Sequence, residues 1–410
     1  MARIVLGVGG GIAAYKAVSL LRLLTEAGHD VTVVPTHAAL RFVGELTWAA
    51  LSHHRVAADV WTEAEDVPHV QLGRAADLVV VAPATADLLG RAANGLADDL
   101  LTSTLLTARC PVLYAPAMHT EMWEHPAVVE NVARLRARGA TVLDPAIGRL
   151  TGADTGRGRL PEPAEIAQLA ELLLRRPGAL PRDLAGVRLV VSAGGTRESL
   201  DPVRFLGNRS SGRQGYAVAA VAAVRGAQVT VVAALTELPD PCGAVVQPVG
   251  TAAELGEAVT KLAAEADVVV MAAAVADFRP AGVAAHKIKK GDGAPEPIEL
   301  VRNPDILAGL VAARRGSTRP LLVGFAAETG DDDGDVLHHG RRKLAAKGCD
   351  LLVVNAVGAD QGFGRPDNAA VILHRDGRQV DVPLAPKAVL AAALCDAVAA
   401  ELVGDRSDPG

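Results

Sequence analysis

GHDVTVVPT (28–36) with GAQVTVVAA (226–234), and AADLVVVAPAT (75–85) with EADVVVMAAAV (265–275), are the pairs of segments that decide how this chain is read. Each is a Gly- or Asp-led entry into a β-branched run. The runs are short and apolar, and Ala- and Leu-rich helical stretches separate them, the order that crossover helices impose on parallel strands. The echo therefore predicts two α/β units in tandem. In the first, strands are expected near Ile4–Val8, Val31–Pro35, Leu78–Ala82, Val112–Ala115 and Thr141–Leu143. In the second they are expected near Val187–Val191, Val229–Ala233, Val268–Ala272, Leu321–Phe325 and Leu351–Asn355, with a closing hairpin around VILHRDGRQVDVP (371–383). RRPGALPRDLAG (175–186) reads as the connection, so the domains are set at 1–176 and 187–404 with a linker at 177–186.

At 410 residues, half of them hydrophobic, the chain is long enough for more than one full core. A formal net charge of -6 supplies no basic field for nucleic acid or a membrane surface, although local Lys and Arg clusters remain able to hold a phosphorylated small molecule. The four cysteines, Cys110, Cys242, Cys349 and Cys395, stand far apart without a CxxC pair, and reduced thiols are the expectation. The apolar run in MARIVLGVGGGIAAYK (1–16) is too short and too broken by glycine for a signal peptide. The expectation is a cytoplasmic protein with no membrane span and no nucleic-acid partner.

In open parallel sheets ligands sit at the carboxyl ends of strands, so the first loops of both units carry the functional reading. GVGGGIAAYKA (7–17) places glycines between a strand and a helix, where backbone N–H groups and a helix N-terminus meet an anion. The same turn serves equally well for packing alone. The second loop begins Pro35, Thr36, and the third, APATAD (82–87), adds a rigid Pro83 and the Thr85 hydroxyl. Together they point to a phosphorylated cofactor. In the second unit the corresponding place holds AGGTRESLDPVRFLGNRSSGRQG (193–215), ahead of a helical stretch over Tyr216–Val224. Its glycines do not follow G-x-G-x-x-G, and neither unit has an acidic ribose ligand in register, which argues against a tandem NAD or nucleotide-sugar enzyme.

GGGIAAYK (9–16), APATADLL (82–89), GLADDLLTS (95–103) and PAMHTEMW (116–123) resemble, in order and spacing, the flavin-containing cysteine decarboxylases. The resemblance implies FMN in this cleft, held by Gly10, Gly11, Ile12, Thr36, Pro83, Ala84, Thr85 and Ser103. It makes His69, in DVPHVQLG (66–73), the catalytic base, a residue that in isolation reads as an ordinary surface or capping histidine. In that chemistry FMN oxidises the cysteinyl thiol, carbon dioxide leaves, and the electrons return, so no net redox change occurs. Three positions depart from the family pattern. Gly9 stands where a serine often meets the FMN phosphate, and His119 replaces the asparagine that holds the substrate carboxylate. In the flap RLTGADTGRGRLPEP (149–163), Gly152 replaces a cysteine that protonates the product, leaving His119 and Asp154 as candidate donors.

The stretch 194–215 is very similar to the signature of phosphopantothenate–cysteine ligases, and ADFRP (276–280), HKIKK (286–290), NPDIL (303–307) and GFAAET (324–329) follow in that family's order. This resemblance implies that CTP and 4'-phosphopantothenate form an acyl-cytidylate, which the amine of cysteine attacks. Asp277, Lys287, Pro304, Asp305, Ile306, Leu307, Phe325, Lys343 and Lys347 then hold CTP, and Asn208 the acyl-phosphate intermediate. Lys289 adds to the charge, Mg2+ or Mn2+ accompanies the triphosphate, and the residues holding the metal stay unassigned. By itself HKIKK reads as a solvated charged loop. The fold class implied is α/β: two tandem Rossmann-like parallel-sheet domains, a flavodoxin-like flavoprotein decarboxylase fold followed by a ligase domain. The resemblance also implies a homo-oligomer, a dodecamer with paired ligase domains, acting in coenzyme A biosynthesis. The alternative is a ligase whose FMN-binding half has become regulatory.

Overall fold

The computed structural model describes residues 1–56, 67–150, 154–289, 297–328, 335–356 and 367–404. Contacts divide the chain into two compact units, Met1–Pro181 with Pro241–Gly243, and Arg182–Asp240 with Ala244–Gly410.

The first unit is built on β1 (Arg3–Val8), β2 (Asp30–Pro35), β3 (Leu78–Ala84), β4 (Val112–Pro116) and β5 (Thr141–Val142). They form one sheet in the order β2-β1-β3-β4-β5, every pairing parallel. In register, Ile4 faces Val31 on one side and Leu78 on the other. Leu6, Val79, Val80 and Val81 have no exposed surface, because helices cover both faces of the sheet. Each such side chain contributes about 1.5–3 kcal/mol through burial, which is why the β3 run is apolar throughout rather than alternating. The helices are α1 (Ala14–Glu26), α2 (Glu45–Ser52), α3 (Pro68–Ala75), α4 (Ala86–Asn94), α5 (Leu100–Thr107), α6 (Thr120–Trp123), α7 (Pro126–Ala137) and α8 (Pro163–Arg175). α1 buries Ala14, Ala17, Leu20, Leu21 and Leu24, one helical face. α4 starts where the Thr85 side chain accepts from Leu88 N–H, and α5 where Asp99 and Thr102 form a reciprocal capping box. A hairpin of β6 (Ala146–Arg149) and β7 (Thr155–Arg159) stands apart from the sheet.

The second unit holds β8 (Arg188–Ala193), β9 (Arg197–Ser199), β10 (Phe205–Gly207), β11 (Gln228–Ala233), β12 (Ala244–Pro248), β13 (Val268–Met271), β14 (Phe278–Pro280), β15 (Leu300–Arg302), β16 (Leu321–Glu328), β17 (Leu351–Ala356), β18 (Asp367–His374) and β19 (Gln379–Pro386). Eight of them form a sheet in the order β12-β11-β8-β13-β16-β17-β18-β19. The first six are parallel, and the closing hairpin is antiparallel. Its helices are α9 (Arg213–Val224), α10 (Ala252–Ala263), α11 (Ile306–Ala313), α12 (Val336–Lys347) and α13 (Lys387–Gly404). Right-handed crossovers running in opposite directions from β8 put α9 on one face and α10, α11 and α12 on the other. α13 packs on α9.

All ten expected strands and the terminal hairpin are present. The sequence reading missed β12, a half-exposed edge strand with only two valines, and the short ribbons β6–β7, β9–β10 and β14–β15. Within the expected linker, Ala179, Leu180 and Leu184 are buried, and Asp183 receives two hydrogen bonds from the buried Arg225. Among the described residues no helix is long and apolar enough to cross a membrane.

Candidate active sites

At the carboxyl edge of the first sheet the loops after β1, β2 and β3 converge. Gly9 N–H donates to Pro83 O over 3.0 Å and Thr36 N–H donates to Val8 O over 2.9 Å. A Cβ on Gly9 would lie 2.5 Å from Pro83 O, so this backbone has no room for a side chain there. Gly11 has only Thr85 Cγ2, at 3.8 Å, within reach of such an atom. Among the described residues the N–H groups of Gly10, Gly11 and Ile12 find no backbone acceptor. They open ahead of α1, the arrangement that receives a phosphate. Ala84 ends β3 beneath them and is fully buried, whereas Ile12 is three-quarters exposed. Ser103 lies on α5, two residues beyond Leu101, whose side chain packs on Gly7.

His69 lies in the first turn of α3, which packs on α5; the Thr107 hydroxyl donates to its carbonyl over 2.7 Å. Its Nδ1 is buried with no hydrogen-bond partner among the described residues, and so is Thr120 Oγ1. Buried polar atoms without partners are uncommon in folded proteins. The β6–β7 hairpin reaches the segment after β4, with Met118 N–H donating to Gly158 O over 3.0 Å. His119 caps α6, and its Nδ1 lies 2.6 Å from Glu121 Oε2. The Glu121 carboxylate raises the imidazole above its ordinary pKa by stabilising the charged form. Asp154 is exposed at the start of β7, while Gly152 lies outside the described residues.

The second unit carries a cleft of about 640 Å³ over the carboxyl ends of β13, β16 and β17. Asp277, Pro304, Asp305, Ile306, Leu307, Phe325, Lys343 and Lys347 all line it, and Asn208 faces them from the loop before α9. Asp305 caps α11 through Ala308 N–H and pairs with Lys347. Asn208 Nδ2 donates to Val275 O over 3.0 Å. Lys287 does not line the cleft; it and Lys289 are exposed, and Lys290 lies outside the described residues. Their segment is strapped to the turn before β10. The buried Asp201 carboxylate accepts from the N–H groups of Val203, Arg204 and Ile288 and pairs with the Arg204 guanidinium, which holds its carboxyl well below the usual range.

The cleft also takes in residues that the sequence reading missed. Asn303, Arg213 and Gln214 lie inside the quoted motifs without having been given a role there, so membership of the motif was a usable signal. Asn355, Asn368 and Lys387 come from β17, β18 and the start of α13, and nothing in their local sequence points to the site. Among the described residues no three His, Cys, Asp or Glu side chains gather as a metal site.

A family model described as "Flavoprotein" matches residues 1–174, and one described as "DNA/pantothenate metabolism flavoprotein C-terminal domain" matches residues 184–402. The coenzyme A biosynthesis bifunctional protein CoaBC of Mycolicibacterium smegmatis is 61% identical over 404 residues, covering 98% of each chain. The chain belongs to the CoaBC family. The protein of the same name from Bacillus subtilis is 42% identical over 410 residues, again covering 98% of each chain. A crystal structure of a CoaBC C-terminal domain is 34% identical, covers 54% of this chain and 99% of its own, and has a TM-score of 0.45. As a CoaBC the chain is a bifunctional enzyme of coenzyme A biosynthesis, a flavoprotein decarboxylase joined to a ligase.

Proposed function

We propose that the second unit, 187–404, joins 4'-phosphopantothenate to cysteine with CTP, and that the first, 1–176, decarboxylates the product to 4'-phosphopantetheine with FMN. The observation that carries this is the single cleft gathering Asn208, Asp277, Pro304–Leu307, Phe325, Lys343 and Lys347. Two phosphorylated ligands meet there only if fixed cations and amide donors offset their repulsion, which Lys343, Lys347 and the Asn208 amide are placed to do. Lys287 acts from its exposed strap. The substrate carboxylate attacks the α-phosphorus of CTP and pyrophosphate leaves; the cysteine amine then attacks the acyl carbon and CMP leaves. Mg2+ or Mn2+ arrives with the triphosphate.

In the first unit the loop amides of Gly10, Gly11 and Ile12, with Thr36, Pro83, Ala84, Thr85 and Ser103, fit FMN and its phosphate. Gly9 contributes close approach rather than a hydroxyl. FMN supplies there the reversible two-electron oxidation that lets the carboxylate depart. His69 takes the proton from the substrate cysteinyl group, and its buried Nδ1 gains a partner in the loaded site. His119, whose pKa the Glu121 carboxylate raises, holds the substrate carboxylate and donates the final proton. We place the enzyme in the cytoplasm as a dodecamer with paired ligase domains; the exposed Val203, Phe205 and Leu206 around β10 offer the ligase units an apolar patch through which to pair.

The test is to incubate the purified protein with 4'-phosphopantothenate, cysteine, CTP and Mg2+ and to identify products by mass. 4'-Phosphopantetheine with CMP and pyrophosphate is the expected result. Accumulation of the cysteine adduct alone would assign the first unit a regulatory role, and no turnover with CTP would sink the ligase reading.

A further inference from the structure

The cleft of the second unit has two walls, and the ligand set proposed for CTP uses one of them. Lys343, Lys347 and the start of α11 stand on the face of the sheet that carries α10–α12. Across from them, Arg213 and Gln214 begin α9, Lys387 begins α13, and Asn368 projects from β18. Lys387 ties the start of α9 to the start of β18. Gln214 Nε2 donates to the Lys387 carbonyl over 3.3 Å, and Lys387 Nζ donates to Asp367 O over 3.3 Å. Asn368 is only 6% exposed and sits where the β18–β19 register shifts, an irregularity that re-aims a side chain.

The chemistry of this wall is cationic. The only acids that line the cleft among the described residues, Asp277 and Asp305, belong to its floor and its opposite wall. Burial pushes the Lys387 ammonium below its ordinary pKa, the nearby Arg213 charge pushes it further in the same direction, and the Asp367 carboxylate offsets part of this. α9, a helix of 12 residues, starts at Gly212 (φ 73°) with no side chain capping it, so its first-turn amides are turned toward the same space. Two cations brought together against their mutual repulsion, beside a buried carboxamide and a helix start, suit a ligand with several negative charges better than a single phosphate ester.

We infer that Arg213, Asn368 and Lys387 form a subsite for the β- and γ-phosphates of the nucleotide, holding them as the bridging oxygen leaves the α-phosphorus and pyrophosphate departs. The inference rests on the reading that a nucleoside triphosphate is the ligase substrate. The bond formed joins the substrate carboxylate oxygen to the α-phosphorus. The bond broken leaves its electron pair on pyrophosphate, where Lys387 and Arg213 offset the added charge. This wall thus binds the leaving group, and the Lys343–Lys347 wall the remainder of the nucleotide.

The experiment is calorimetric titration of the full-length protein and of Lys387→Gln and Arg213→Gln with inorganic pyrophosphate, CTP, CMP and 4'-phosphopantothenate at one salt concentration. Arg213 is exposed, so its variant keeps the test open if Lys387→Gln folds poorly. Both variants should weaken pyrophosphate and CTP about tenfold or more, the size of a lost charge-assisted contact, and leave CMP and 4'-phosphopantothenate within about twofold. Lys387→Arg should recover part of the loss. Unchanged pyrophosphate affinity, or equal losses for CMP and CTP, overturns the subsite; loss of 4'-phosphopantothenate instead assigns the wall to the ester phosphate and overturns it as well. Wild-type protein that binds pyrophosphate through these residues but not CTP would uphold the subsite and refute the nucleotide reading.

Discussion

The two units repeat the same strand entries, yet their sheets are wound differently. In the first, β2 is an edge strand and the chain returns at once to β3, giving the order 2-1-3-4-5 of flavodoxin-like folds. In the second, the chain adds β12 outside β11 before returning to β13, so its six parallel strands run 3-2-1-4-5-6. One exposed five-residue edge strand makes the difference. The ligand crevice nevertheless falls at the corresponding place in both, where the winding reverses beside β1 and beside β8. What separates the sites is the first loop. After β1 it is a tight turn leading directly into α1, with the backbone amides of Gly10, Gly11 and Ile12 left without a backbone acceptor among the described residues. After β8 it is a long excursion through the β9–β10 ribbon that returns with Asn208 and Arg213, whose side chains line the cleft. Similar strands thus support a backbone-lined crevice in one unit and a side-chain-lined crevice in the other.

That division is broken most strongly at His69. His69→Ala should lower decarboxylation about 10²- to 10⁴-fold, the range for losing a general base, while CTP-dependent ligation stays within about twofold. Assaying the two half-reactions separately checks this, and equal loss in both would mean the units do not work independently. Next in size is Arg225, a buried cation tied to Asp183, Asp396 and Ala392 O. Replacing it with Leu removes the guanidinium hydrogen bonds to Asp183, Asp396 and Ala392 O and should cost about 1–3 kcal/mol. The expected readout is a lower melting temperature together with loss of ligase activity, with decarboxylation of supplied adduct retained below that temperature.

A smaller effect sharpens the backbone-against-side-chain contrast. Gly9→Ser forces a Cβ to within 2.5 Å of Pro83 O and should cost about 1–3 kcal/mol as overpacking, with reduced flavin content. Gly11→Ser, whose Cβ meets only Thr85 Cγ2 at 3.8 Å, should leave stability unchanged; a flavin-replete Gly9→Ser protein would show that the loop relaxes. The smallest expected effect concerns His119. Its pKa is raised by Glu121, so the pair contributes fully below the unfolded-state value and fades as pH climbs through the higher folded-state value. An NMR titration should find the His119 midpoint above 6.5, and Glu121→Gln should bring it down toward that value.

The sequence by itself determined the tandem α/β plan, because strands buried on both faces must be apolar throughout and leave a run that composition cannot disguise. It also determined one wall of each crevice: GGGIAAYK, APATAD, NPDIL and the 193–215 loop are contiguous, and a contiguous motif brings its own geometry. Tertiary structure alone decided the rest. Ala244–Pro248 became a strand only because β11 offered it an edge. Lys287, assigned by its motif, stands outside the cleft because Asp201 straps its segment elsewhere. Asn368 and Lys387 joined the cleft through a hairpin and a helix that follow the 193–215 loop by more than a hundred residues in the chain. Local sequence records the propensities of neighbours, whereas a binding wall assembled from β18 and α13 depends on which strand pairs with β17, and that is settled by packing across the whole sheet.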